Sequence, residues 1–215
     1  MTIETFPIKL YSEVMSLTDS ENVTHYPGVQ VLFDDTVMFD QTLEPVLITD
    51  ETDSLLPNWM DIQAKEDDKN IPSNIAVVEF NIELDDDIDT SHILKINVNY
   101  DVEFIDSITQ VNPETGDRDE FGFYIKDIEL NEISIESLVY TNGIVNVPLC
   151  LEENYEDDGF IQEYLIPEGL MDKLSIIDGR YHYITNGDYV HMPGSSYSME
   201  FKTPLYLWLL ELLLQ

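Results

Sequence analysis

Four stretches of this chain alternate apolar and polar residues with a period of two, and that period admits few folds. Asn74 to Leu84 (NIAVVEFNIEL) alternates after Val77, and Ile93 to Phe104 (ILKINVNYDVEF) alternates through Ile96, Val98, Tyr100 and Val102. Phe121 to Leu130 and Ile133 to Tyr140 continue the pattern. Successive side chains of a strand point to opposite faces, so the period describes strands with one dry and one wet face, as in an antiparallel sheet. Polar segments, Asp85 to Ser91 and Asn112 to Glu120, separate the strands. Two Asn-Gly pairs, Asn142-Gly143 and Asn186-Gly187, lie between apolar runs. Each predicts a type I′ hairpin, because that turn needs positive φ at both central residues. The second would join Tyr181–Thr185 to Tyr189–Met192.

Helix signals are fewer. Thr203 fits an N-cap and Pro204 the first helical position of a helix running from Leu205 to Gln215. That helix is apolar nearly all round, so it must be covered on every side. It is either a central core helix or an interface between two copies of the chain, with Leu205, Trp208, Leu209 and Leu212 at the contact. Short helices are also expected over Pro167–Leu174 and Pro57–Asp68, while Ile8–Leu17 suits helix or strand. The expected fold class is α+β, predominantly antiparallel β (meander and hairpins), with a C-terminal apolar helix. At 215 residues we expect a single acidic domain over 1–215, with a possible boundary near residues 69–73.

Charge bears on partners more than on fold. Asp and Glu number 44 against 9 Lys and Arg, for a net charge of −35. Such a field repels nucleic acid and anionic membranes and attracts basic surfaces. The acids are spread through the whole chain, among abundant Ile, Leu, Phe and Tyr, which is not the composition of a disordered acidic tail. Salt adaptation usually brings Ala-rich, Ile-poor sequences, whereas here only Ala64 and Ala76 stand against 22 Ile. The wealth of Ile, Asn and Tyr looks like AT-rich coding, which should also supply Lys. Positive charge has therefore been removed, not merely diluted.

Catalytic signatures are absent: no phosphate-binding Gly-rich loop, no dinucleotide fingerprint, no His-Glu-x-x-His and no Gly-x-Ser-x-Gly. His182 and His191 flank the second expected hairpin but read as surface or core. The single cysteine, Cys150, lies in an apolar run and reads as a small buried hydrophobe. One cysteine allows no intrachain disulfide, and Met1-Thr2-Ile3-Glu4 lacks a basic n-region, so a cytoplasmic location is expected. The apolar run at the C-terminal end is shorter than the roughly 20 residues of a bilayer span. Asp85, Asp87 and Asp89 imitate the opening of an EF-hand loop, but Thr90 replaces its Gly and Ile96 its bidentate Glu. No enzyme, metal or cofactor is expected.

The remaining question is whether the charge imitates DNA. A folded chain of 24.8 kDa exposes on the order of 10,000 Å², or one net charge per roughly 290 Å² if spread evenly. Duplex DNA carries one charge per about 1.7 Å of axis, roughly one per 100 Å² of its surface. Mimicry therefore requires gathering. Sheet alternation gathers acids if Val77, Phe80 or Ile82, Ile96, Val98, Tyr100 and Val102 point inward while Glu79, Glu83, Asp101 and Glu103 point outward. Asp127, Glu129, Glu132 and Glu136 extend that face. The clusters Asp85, Asp86, Asp87 and Asp89, then Glu66, Asp67 and Asp68, then Glu152, Glu153, Glu156, Asp157 and Asp158, complete the expected acidic patches. The expected function is an acidic DNA-mimic inhibitor, resembling in charge and size the phage-encoded proteins that block restriction or CRISPR nucleases. Its partner would be a basic nucleic-acid-binding protein, with no nucleic acid or membrane bound directly. The alternatives are a β-rich virion structural or assembly protein, and a module binding divalent cations or a basic protein.

Overall fold

The computed structural model describes residues 3–19, 21–46, 74–85, 87–99, 121–148, 174–177, 180–190 and 194–213. These residues form antiparallel sheets with two short helices. In the first sheet, β1 (Ile3–Met15) lies between β6 (Ile75–Asp85) and β8 (Gly122–Leu130). The far edge of β8 pairs with two short strands, β9 (Ile133–Ser134) and β13 (Tyr189–Val190). The second sheet has seven strands in the order β11 (Leu174–Ile177), β12 (Arg180–Asn186), β10 (Ile144–Pro148), β14 (Ser196–Thr203), β7 (Thr90–Val98), β4 (Gly28–Phe33) and β5 (Thr36–Thr42). A two-residue ladder of β2 (Leu17–Thr18) and β3 (Thr24–His25) stands apart. Helix α1 covers Glu136–Asn142 and α2 covers Leu205–Leu213.

Alternation explains how the sheets meet. Phe6, Ile8 and Leu10 of β1, Val78, Phe80 and Ile82 of β6, and Phe123, Ile125 and Ile128 of β8 face one way. Val29 and Val31 of β4, Leu94 and Ile96 of β7, and Tyr197, Met199 and Phe201 of β14 belong to the same buried cluster. The two sheets thus pack face to face over one core, the arrangement that lets both bury their apolar sides. Truncating a buried residue such as Ile96 to Ala costs about 2–5 kcal/mol in such a core. Val77, expected to point inward, is half-buried on the outer face beside Glu79, because the inward parity of β6 is the even one.

Several expectations are corrected. Ile133 to Tyr140 is not a strand: after two residues of β9 it becomes α1. Ile135 and Val139, one helical turn apart, plug the core there. Neither Asn-Gly pair closes a hairpin. Asn142 ends α1, and Gly143 follows with φ −69. Asn186-Gly187 carries the chain from β12 in one sheet to β13 in the other. The turns with two positive φ angles are Asp34-Asp35 (47 and 63) between β4 and β5, and Asn131-Glu132 (49 and 67) between β8 and β9. Asp34, Asp35 and Asn131 are of the types that accept positive φ most readily after glycine, whereas Glu132 rarely does. Thr203 ends β14 rather than capping α2, and its hydroxyl donates to the carbonyls of Ile88 and Thr90. Of the helix expected over Pro167–Leu174, Leu174 opens the strand β11 instead and the remainder lies outside the described residues; so do the expected helix at Pro57–Asp68, the boundary at 69–73, Cys150, His191, Tyr100 and Val102. No described helix is long and apolar enough to cross a membrane.

Candidate partner-binding surface

Antiparallel pairing brings one set of turns to a common end of the sandwich. Ile3 at the start of β1 pairs with Asp85 at the end of β6, and Thr203 at the end of β14 pairs with Thr90 at the start of β7. Phe33, next to the β4–β5 turn, pairs with Leu94 of β7. Asn131, in the β8–β9 turn, donates its N–H to the Pro7 carbonyl (2.8 Å). Four separate parts of the sequence therefore converge on one pole, and acids sit on each: Glu4, Asp34 and Asp35, Asp85, Asp87 and Asp89, and Glu132. Glu211 is exposed on α2, the helix that follows β14. Lys202, opposite Ser91 on β7, and Lys95, opposite Leu32 on β4, each stand two residues along a strand from an acid of this set.

Part of this charge is occupied. Asp34 accepts from the Ile93 N–H (2.8 Å) and lies 2.6 Å from His92 Nδ1, which fastens the β4–β5 turn to β7. Asp85 Oδ1 lies 3.3 Å from the Asp87 N–H, forming a local turn in place of a cation loop. Among the described residues, no group of three or more His, Cys, Asp or Glu is placed to hold a metal ion. Asp87, Asp89, Asp35 and Glu132 are exposed.

The outer face of the first sheet carries the acids expected there, but not as an unbroken array. Glu79 of β6 and Glu129 of β8 stand opposite Lys9 of β1 on its two sides, so one base separates them. Glu83 is exposed farther along β6, opposite Thr5. Between Lys126 and Asp127 the β1–β8 register slips by one residue, a bulge that turns both charges toward this side. Lys126 Nζ meets Glu13 Oε2 at 2.6 Å and lies 5.0 Å from the centre of the Tyr124 ring. The Glu13 carboxyl is held below its ordinary range, first by that bond and next, against the cost of burial, by Asn74 Nδ2 at 2.8 Å.

Asp127 departs most from expectation. It was expected as an outward acid, yet it is fully buried, and neither carboxylate oxygen has a hydrogen-bond partner at normal geometry. Burial pushes its pKa up to about 6; the Ser134 hydroxyl and Ile128 N–H partly oppose the shift, and the charges of Glu129 and Glu136 add to it. Its partner across β1, Tyr11, is equally buried and donates its hydroxyl to Glu129 (3.0 Å). Burial and then the neighbouring Glu129 raise the Tyr11 hydroxyl well above its ordinary value. Asp127 therefore contributes to no exposed patch.

The outer face of the second sheet is different in kind. It carries amides and hydroxyls: Gln30 donates to Asp40 (3.0 Å), Asn99 donates to the same carboxylate (2.6 Å), and Asn97 donates to Gln30 (3.4 Å). Farther along, His182 Nδ1 lies 3.0 Å from Asn146 Oδ1. Lys95 and Lys202 share this face with Glu200.

The helix residues expected at a contact between copies are used internally. Leu205, Trp208 and Leu209 are buried in the chain's own core, Trp208 edge-on to Phe201 (5.5 Å between ring centres), and Leu212 packs against the same cluster. The opposite side of α2 remains exposed through Tyr206, Leu207 and Leu210. A cavity of about 560 Å³ opens at the seam of β5 and β6, lined by Phe39, Leu43, Ala76 and Val78 with Glu44 as its one acid, which supplies no catalytic constellation.

Of the sequence-derived patches, Glu79, Glu83, Asp85, Asp87, Asp89, Glu129, Glu132 and Glu136 are at least partly accessible. Glu66, Asp67, Asp68, Asp86, Asp101, Glu103, Glu152, Glu153, Glu156, Asp157 and Asp158 lie outside the described residues. Sequence reasoning missed Glu4, Asp34, Asp35 and Glu211. Asp34-Asp35 carried a signal, as a two-residue break between the apolar runs Val29–Phe33 and Val37–Phe39. No known protein family, curated protein or solved structure matches the chain.

Proposed function

We propose that this chain is an acidic DNA-mimic inhibitor that binds the nucleic-acid surface of a basic protein through its acidic pole and the adjoining face of the first sheet. The observation that carries this reading is the convergence of acids from separate turns on one pole. An even spread of charge is too dilute to imitate a duplex, so local gathering is what the reading needs. A DNA-binding surface gains affinity by neutralising phosphates, and exposed carboxylates such as Asp87, Asp89 and Glu132 offer it the same ion pairs. The physical class fits a target such as a restriction or CRISPR nuclease, and with it a phage origin and action in the host cytoplasm.

The test is affinity capture from a bacterial lysate at low and high salt. The expected result is a dominant nucleic-acid-binding partner, lost at high salt and displaced by duplex DNA. A dominant partner indifferent to duplex DNA overturns the proposal.

A further inference from the structure

The acidic pole is not uniformly polar. Tyr206, Leu207 and Leu210 are 48%, 58% and 52% exposed on the outer side of α2. The helix is tied to the turns on both sides of it. Thr203, just before it, donates its hydroxyl to the Ile88 carbonyl in the β6–β7 turn. On the other side, Asn131 of the β8–β9 turn donates its side-chain amide to the Tyr206 hydroxyl. Each of those turns exposes an isoleucine of its own, Ile88 at 50% and Ile133 at 38%. The result is an apolar strip across the pole, and its apolar residues have acids as chain neighbours: Asp87 and Asp89 flank Ile88, Glu132 precedes Ile133, and Glu211 follows Leu210.

We infer that this strip is the centre of the contact, and that its occupant is a cationic protein surface carrying an apolar ridge between Lys or Arg side chains. This inference rests on the DNA-mimic reading and names what that partner must present. Interfaces draw most of their energy from a few central, well-packed and desolvated side chains, with charges at the rim governing approach and specificity. A second copy of the chain fits poorly, because a two-fold contact sets like acids against like acids in a molecule of charge −35. Duplex DNA has no apolar ridge, so the strip also separates this surface from a simple phosphate imitation.

The test uses two synthetic peptides of equal charge, an amphipathic Lys/Leu helix and an oligolysine, titrated into the full chain at fixed salt. Hydrogen exchange maps the footprint. The amphipathic peptide is expected to bind at least about tenfold tighter and to protect residues 85–90, 131–133 and 205–213. Combining Leu207→Ser with Leu210→Ser should remove about tenfold of that affinity and leave oligolysine within twofold. Because both leucines are more than half exposed, the thermal midpoint should hold, and Leu207→Gln with Leu210→Gln gives a second variant if it does not. Equal affinity for the two peptides, or indifference to the substitutions, overturns the inference. So does a dimer in sedimentation that the same substitutions abolish, which would assign the strip to a second copy. A captured partner that duplex DNA displaces equally well from the wild-type and Leu-substituted chains sinks the apolar centre alone. Capture of a DNA-indifferent partner sinks the underlying function.

Discussion

The two outer faces of the sandwich solve the same problem in opposite ways. Both turn their polar side chains outward while their inner faces build one core. The second sheet does so largely with amides, Gln30 and Asn99 donating to the Asp40 carboxylate and Asn97 donating to Gln30. The first does so with charge, setting Glu79, Lys9 and Glu129 side by side and pressing Asp127 and Tyr11 below the surface. The difference teaches how the described acids are distributed. Among the described residues they gather on the turns of one pole and on one sheet face, while the other face sets Lys95 and Lys202 against Asp40 and Glu200.

This contrast makes the first face the more sensitive of the two to pH and salt. The largest effect is expected at Asp127. Its folded pKa of about 6 lies above its ordinary value of 3.8. The folded state therefore holds a proton that the unfolded chain releases, and the contribution of this group to stability falls as pH rises from about 4 to about 6. At pH 7 the cost reaches up to about 3 kcal/mol. Asp127→Asn should recover most of it, and urea unfolding of the two proteins from pH 3 to 8 should show a gap that closes below pH 4. A constant gap would mean that the side chain acts through packing instead.

Tyr11→Phe should cost about 1–2 kcal/mol, since it removes a hydroxyl that donates to a partly buried carboxylate. Disrupting the amide network with Asn97→Ser should cost about 0.5–1 kcal/mol, with no dependence on pH between 5 and 8, measured by the same unfolding assay. A pH-dependent loss at Asn97 would erase the distinction between the faces. The smallest change is expected from Lys126→Met, because the ion pair with Glu13 is about one-third exposed and solvent screens it. About 0.5 kcal/mol should be lost at low salt and less at high salt.

Periodicity made β6, the first half of the Ile93–Phe104 run and β8 legible, because a strand with one dry face writes its parity into the sequence. Ile133–Tyr140 misled because Ile133, Ile135 and Val139 satisfy a period of two while Ile135, Leu138 and Val139 satisfy a helical one. Over so short a run, the place of Ile135 and Val139 in the core decides between them. The Asn-Gly pairs misled for another reason: turn propensity is local, whereas the sheet that receives the next strand is not. β14 went unread although Tyr197, Met199 and Phe201 alternate cleanly. The acidic pole was legible only in part, since it depends on which turns the ladders bring together. No local pattern reveals that Asp34 and Asp87 share an end of the molecule.

The place of β14 governs how the second sheet can be assembled. It is the last of the described strands in sequence, yet it lies between β7 and β10 at the middle of the sheet. The three strands β7, β4 and β5 and the three strands β10, β12 and β11 have no ladder joining them until residues 196–203 are in place. A nascent chain therefore carries two half-sheets, each with an open edge facing the same gap. Pairings of such long sequence separation form slowly, on the order of milliseconds to seconds. During that interval the open edges are templates for any extended strand in reach. A net charge large enough to keep nascent copies apart protects that gap while it stands open.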